Sequence, residues 1–117
     1  MDMKQTLISG LPELKLDLTQ AQIDTLCAFG QAVIDQNQVM NLTAITEPQQ
    51  VAKLHLLDSL TVLSALDLRG KSLIDVGCGA GFPGVPLAIA SPQTQVTLLD
   101  SLGKRVNWLK EILPQLG

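Results

Sequence analysis

Four glycines crowd into eight residues of this chain, Gly77-Cys78-Gly79-Ala80-Gly81-Phe82-Pro83-Gly84, directly after the apolar run Leu73-Ile74-Asp75-Val76. Glycine turns the backbone through left-handed conformations and lets another group approach it closely. A strand that stops at such a bend, with a proline where a helix would start, is a strand–loop–helix corner. A second apolar run, Val96-Thr97-Leu98-Leu99, ends in Asp100, about 20 residues on, the interval at which a strand-end acid faces the ribose of a nucleotide-type cofactor. The layout restricts the chain to the α/β class, with parallel strands joined by a helical crossover and a ligand at their carboxyl ends.

Residues 71–117 accordingly read as strand 72–76, helix 83–90, strand 95–99 and helix 104–113, with Ser91-Pro92-Gln93 turning between the first helix and the second strand. Residues 1–70 read as an amino-terminal helical region, and 71–117 as part of a Rossmann-like cofactor-binding domain. Thr19-Gln20-Ala21-Gln22 is a capping box opening a helix over 19–36, whose apolar stripe is Ile23, Leu26, Cys27, Val33 and Ile34, with Gly30 on the same side. Thr46-Glu47-Pro48-Gln49 repeats the box before a second helix carrying Val51, Leu54, Leu57 and Leu60, with Leu56 and Leu63 on another face. Asn37 and Asn41 are placed to cap or bridge the break between these helices, and Asp67-Leu68-Arg69-Gly70 makes a turn.

Composition limits what such a chain does. With 46% apolar and 16% charged residues it is globular, and a net charge of −3 provides no overall basic field for nucleic acid. Tyr is absent and only three residues are Phe or Trp, so the core is expected from Leu, Ile, Val and Ala. The apolar runs fall far short of the roughly 20 residues that span a bilayer, and the first residues form no signal peptide. Cytoplasmic location is therefore expected, with Cys27 and Cys78 as free thiols. No Cys/His spacing points to a metal, and Asn41-Leu42-Thr43 matches the glycosylation pattern by chance. The 45 residues from Leu73 supply two strands, whereas doubly wound cofactor-binding sheets have about five or six. The chain is thus expected to be the amino-terminal part of a longer protein, or a truncated gene product, with little or no activity alone. Both strand edges then lack partners, and self-association through them, as a non-enzymatic interaction module, is a competing reading.

Two ligand classes compete at the bend. Gly79-Ala80-Gly81-Phe82-Pro83-Gly84 satisfies the dinucleotide pattern GxGxxG, which would make the protein an NAD-dependent oxidoreductase. Asp75, however, precedes the glycines, and a fixed negative charge there repels a pyrophosphate. It suits a ligand with an ammonium or sulfonium; S-adenosylmethionine has both and no phosphate. Gly77, Gly79 and Gly81 clear the approach, the following helix is expected to aim free amides at the ligand, and Asp100 is placed to accept from ribose hydroxyls.

Asp75-Val76-Gly77-Cys78-Gly79-Ala80-Gly81 resembles the first motif of class I methyltransferases. Four blocks follow one another in order: Asn41-Leu42-Thr43-Ala44-Ile45, His55-Leu56-Leu57-Asp58-Ser59-Leu60, Gly79-Ala80-Gly81-Phe82-Pro83-Gly84-Val85-Pro86-Leu87-Ala88-Ile89, and Thr97-Leu98-Leu99-Asp100-Ser101-Leu102-Gly103-Lys104-Arg105. This set resembles the bacterial small-subunit ribosomal RNA guanine-N7 methyltransferases, the glucose-inhibited division protein B family, from about Thr19 to the end. The resemblance implies a cytoplasmic enzyme moving a methyl group from S-adenosylmethionine to a guanine of 16S ribosomal RNA. It implies cofactor contacts at Gly77 and Phe82, joined by Asp75, Gly79, Gly81 and Asp100 from the general class I pattern. Gln36 and Leu54 depart from it, standing where the family usually has a tryptophan and an arginine.

Guanine N7 is already a nucleophile, so no general base is expected. His55, Asp58 and Ser59 share a helix face as a polar patch near the cofactor mouth or, more simply, as a His–Asp pair packing the helix onto the sheet. Lys104, Arg105 and Lys110 are read as a solvated face in preference to phosphate contacts, and Trp108 as a cover for the sheet or a neighbouring helix in preference to a stacking platform.

Overall fold

The computed structural model describes residues 2–40, 43, 45, 47–100 and 103–116, with the side chains of 115 and 116 left aside. Its helices begin where side chains satisfy their first amides. Asp2 caps α1 (Met3–Gly10) with a reciprocal bond to Gln5, and a 3₁₀ turn, Leu11–Leu14, follows, closed by Lys15 at φ 58°. The expected capping box opens α2 (Gln20–Asn37): the Gln22 amide donates to Thr19 Oγ1 at 3.1 Å and the Thr19 amide to Gln22 Oε1 at 2.8 Å. Gln22 also donates through Nε2 to the Ile89 and Ala90 carbonyls, tying the start of α2 to the sheet half of the chain.

The next rod is built in three pieces end to end: α3 (Pro48–Gln50), a π-helical segment (Val51–Leu57) and α4 (Asp58–Ala65). Thr46, expected as its cap, lies outside the described residues; the N-cap is Glu47, which makes no side-chain cap. The π segment corrects the expected stripe. An i→i+5 ladder turns less per residue than an α-helix, so Val51, Ala52, Leu56 and Leu60 are buried while Leu54 stays 53% exposed. Asn37 bridges the inter-helix break as expected, its Oδ1 accepting from the Thr43 amide at 2.8 Å; Asn41 lies outside the described residues.

Both strands occupy the expected positions, β1 (Ser72–Val76) and β2 (Gln95–Leu99), paired in parallel with Ser72 opposite Gln95 and Val76 opposite Leu99. The fold is therefore helices plus a two-stranded parallel sheet, the expected α/β arrangement. Crossover helix α5 (Gly84–Ala90) starts one residue later than expected, with Pro83 as its N-cap after a cis Phe82–Pro83 peptide bond. The last helix, α6 (Gly103–Leu116), is longer than expected at both ends. The sheet is covered on one face: Leu73, Asp75, Val96 and Leu98 turn inward, while Ile74, Val76 and Leu99 remain exposed.

Two apolar clusters organise the interior. One joins Leu7, Leu11, Leu26, Val51, Leu56 and Leu60 from the helices. The other joins Phe29 and Val33 of α2 to Cys78, Ala80 and Val85 around the bend and to Trp108 and Leu109 of α6. The expectation of an all-aliphatic core is corrected here. Both Phe residues, the single Trp and the single His form one row, Trp108–Phe29–Phe82–His55, with centroid separations of 6.3, 5.4 and 4.4 Å. Scarce aromatic rings are thus concentrated behind the glycine bend, where their large area supports a loop that has few side chains of its own. Among the described residues no helix is long and apolar enough to cross a membrane, and no three His, Cys, Asp or Glu side chains are placed to hold a metal ion.

Candidate functional site

The bend is made by three residues in the left-handed region: Gly77 at φ 72°, Gly79 at 57° and Gly81 at 107°. They differ in what surrounds them. A Cβ at Gly77 or Gly79 would meet nothing within 4 Å, whereas one at Gly81 would press on Val85, Phe29 and Leu109. The first two therefore present bare backbone to open space, and the third packs the loop onto the aromatic row.

Both strand-end acids turn toward the bend. Asp75 Oδ2 accepts from the Gly84 amide at 3.0 Å, and Asp100 Oδ2 accepts from the Gly79 amide at 2.6 Å. Burial, aided by the negative charge of Asp100, holds the Asp75 pKa above the usual carboxylate value. Burial likewise raises the Cys78 thiol, with both acids adding to it, so this thiol is protonated at neutral pH. The charge around the bend is negative and partly shielded from water, a site that favours a cationic group.

The expectation that α5 would aim free amides at a ligand is corrected. The Gly84 amide is taken by Asp75, the Val85 amide donates to the Gly81 carbonyl at 2.7 Å, and the Gly81 and Phe82 amides both donate to Cys78. Gly77 and Cys78 donate together to the Leu99 carbonyl. A carboxylate of the protein itself thus sits where a pyrophosphate would need donors, and the chemistry of the donor set fits a ligand without phosphate. Phe82, expected to touch a cofactor, stands half-buried between Phe29 and His55.

Arg105 is not part of a solvated face: its Nη1 lies 3.6 Å from Asp100 Oδ2, and its side chain is largely covered. Periodicity on α6 carried no signal for this pair, because Asp100 lies outside the helix. Lys104 and Lys110 are exposed as expected, and Trp108 is buried against Phe29. In the expected His55–Asp58 pair the ring's hydrogen-bond partner is another residue: His55 Nε2 lies 2.9 Å from Thr43 Oγ1, and Asp58 acts on the ring through its charge. Burial holds His55 below its ordinary pKa.

Comparison with known proteins gives a consistent result. The sequence model of the GidB family, described as rRNA small subunit methyltransferase G, matches residues 22–117. Curated relatives carry the name Ribosomal RNA small subunit methyltransferase G. The one from Lachnoclostridium phytofermentans is 45% identical over 112 residues, covering 95% of this chain and 46% of the relative. That from Desulforamulus reducens is 44% identical over 117 residues, covering 99% and 49%, and that from Haemophilus ducreyi 43% identical over 115 residues, covering 98% and 56%. The chain spans about half the length of these curated relatives.

Proposed function

Because the chain belongs to the GidB family of rRNA small subunit methyltransferases, we propose that it carries the glycine bend of an S-adenosylmethionine site in a cytoplasmic protein that methylates guanine N7 of 16S ribosomal RNA. One observation carries the cofactor reading: Asp75 and Asp100 bracket a bend whose Gly77 and Gly79 are bare toward open space. Asp75 receives the ligand's ammonium, the counter-charge that its partly buried carboxyl calls for. Gly77 and Gly79 let the amino-acid portion lie against the main chain, Gly81 keeps the bend seated, and Phe82 walls the site on the α5 side. Asp100, oriented by the Gly79 amide and Arg105, serves the ribose.

The bound sulfonium supplies an activated methyl group. N7 of guanine needs no general base, so the protein's part is to align the lone pair with the methyl carbon and keep water out, an orientation effect. The dinucleotide alternative loses its support, since the amides that would cradle a pyrophosphate are already engaged within the bend.

The test is a titration of the ¹⁵N-labelled chain with S-adenosylhomocysteine, read at the amides of Gly77, Gly79 and Gly81. Shifts confined to the bend, reduced in Asp100→Asn and absent with NAD, are expected. A bend that responds to NAD and ignores S-adenosylhomocysteine would sink the assignment.

A further inference from the structure

Beside Phe82 a concavity opens. A cleft of about 340 Å³ lies between the Phe82–Pro83 corner and the helical rod, and its lining includes Leu54, His55, Asp58 and Ser59. His55 and Phe82 both line it, their rings stacked with 4.4 Å between centroids and 9° between planes. Thr43 pins the imidazole from one edge, Phe29 backs the Phe82 ring, and Trp108 in turn backs Phe29. Burial keeps His55 below its ordinary pKa, which favours an uncharged ring. Asp58 stands exposed in the same lining, and among the described residues no hydrogen bond or ion pair engages its carboxylate. The His55–Phe82 pair, packed against both apolar clusters through Phe82, thus stands beside an uncommitted carboxylate and next to the glycine bend.

We infer that this cleft takes the target guanine, and that Asp58 is the residue that reads its Watson–Crick edge; the inference rests on the guanine reading above and assigns that substrate its place. Guanine presents two adjacent donors on that edge, N1–H and the N2 amine, which match the two oxygens of a carboxylate. Adenine presents an acceptor at N1, which a carboxylate repels. The π-face of the base lies against the aromatic wall, as bases do on protein rings.

The same contact favours the reaction. As the methyl carbon passes to N7, the N7 lone pair forms the new C–N bond and the broken C–S bond leaves its pair on sulfur. The positive charge of the sulfonium moves onto the purine, N1–H becomes a stronger donor, and its bond to Asp58 tightens. Asp58 removes no proton; it binds the charged purine better than the neutral one, which is differential stabilisation of the transition state.

The experiment is a titration of the ¹⁵N-labelled chain with guanosine, 7-methylguanosine and adenosine 5′-monophosphates up to about 10 mM, a range that captures millimolar contacts. The readouts are the backbone amides and the His55 ring. Expected are shifts at His55, Asp58 and Phe82, with 7-methylguanosine monophosphate binding most tightly and the guanine nucleotide preferred over the adenine one by about tenfold. Asp58→Asn should abolish both preferences without changing the weak adenine binding, and Asp58→Glu should restore them in part. Because Asp58 is exposed, both variants are checked for an unchanged amide spectrum elsewhere. Equal binding of the two bases, shifts that avoid the cleft, or silence throughout would overturn the inference. A parallel titration with S-adenosylhomocysteine separates the two readings. A responsive bend with a silent cleft removes the base site alone, and a responsive cleft with a silent bend upholds the base site and removes the methyl-donor reading.

Discussion

Leu26 and Val76 are both apolar residues in regular elements, yet Leu26 is fully buried in α2 and Val76 is 78% exposed on β1. The contrast extends to the regions around them. The helices surround Leu7, Leu26, Leu56 and Leu60 from several sides, whereas the sheet is covered by helices on one face and leaves Ile74, Val76 and Leu99 on the other. Burying apolar area stabilises by roughly 25 cal/mol per Å², so the helical half holds itself together while the strands gain from one face only. The glycine bend sits at the junction. It draws support from the helical side through Phe29 and Phe82, and its acids come from the half-covered sheet.

Truncation of Leu26 should give the largest effect: Leu26→Ala is expected to cost about 2–5 kcal/mol in urea unfolding followed by circular dichroism, and Val76→Ala within about 0.5 kcal/mol of zero. Equal losses would erase the contrast between the halves. The bend comes next. Gly81→Ala meets both an unfavourable φ and contacts with Val85, Phe29 and Leu109, and should cost roughly 1–3 kcal/mol. Gly79→Ala faces only the conformational penalty, about 1–2 kcal/mol, so their midpoints should fall in that order. Thr19→Ala removes the capping box of α2 and should cost about 1 kcal/mol, visible as a lower midpoint with an unchanged slope.

The smallest effects are in pH, and they run in opposite directions in the two halves. Asp75 has a folded pKa above its ordinary 3.8, so the folded chain holds more protons than the unfolded one between those two values. Stability from this group falls as pH rises through that window. Asp75→Asn should flatten this slope and be no less stable than the parent at neutral pH, while losing S-adenosylhomocysteine. His55 has a folded pKa below 6.5, so its neutral form favours the fold, and its contribution is lost as pH falls from 6.5 through the folded value. His55→Asn should remove this slope in unfolding midpoints measured from pH 4 to 8. An acid-side loss that survived the substitution would assign the effect to another group.

Much of this was legible along the chain because the rules involved are short-ranged. The limits of both strands, the Thr19 capping box and the glycine bend each follow from residues within about four positions of one another. Asp75 and Asp100 were legible as a pair because the carboxyl ends of neighbouring parallel strands are brought together by topology. Gly77, Gly79, Gly81 and Phe82 were legible as one loop, but not which of them face open space and which face the core. Leu54 was misread because no periodicity announces an i→i+5 turn.

By itself the sequence determined the class of fold and the strand–bend–helix corner, since propensity, capping and alternation are properties of neighbours in the chain. Tertiary structure decided the rest: that the Gly84 amide is spent on Asp75, that Arg105 leans on Asp100, that Trp108, Phe29, Phe82 and His55 line up behind the bend, and that Asp58 is left uncommitted beside them. These pairings join residues far apart along the chain, and only packing, which selects among many sterically allowed neighbours, chooses between them.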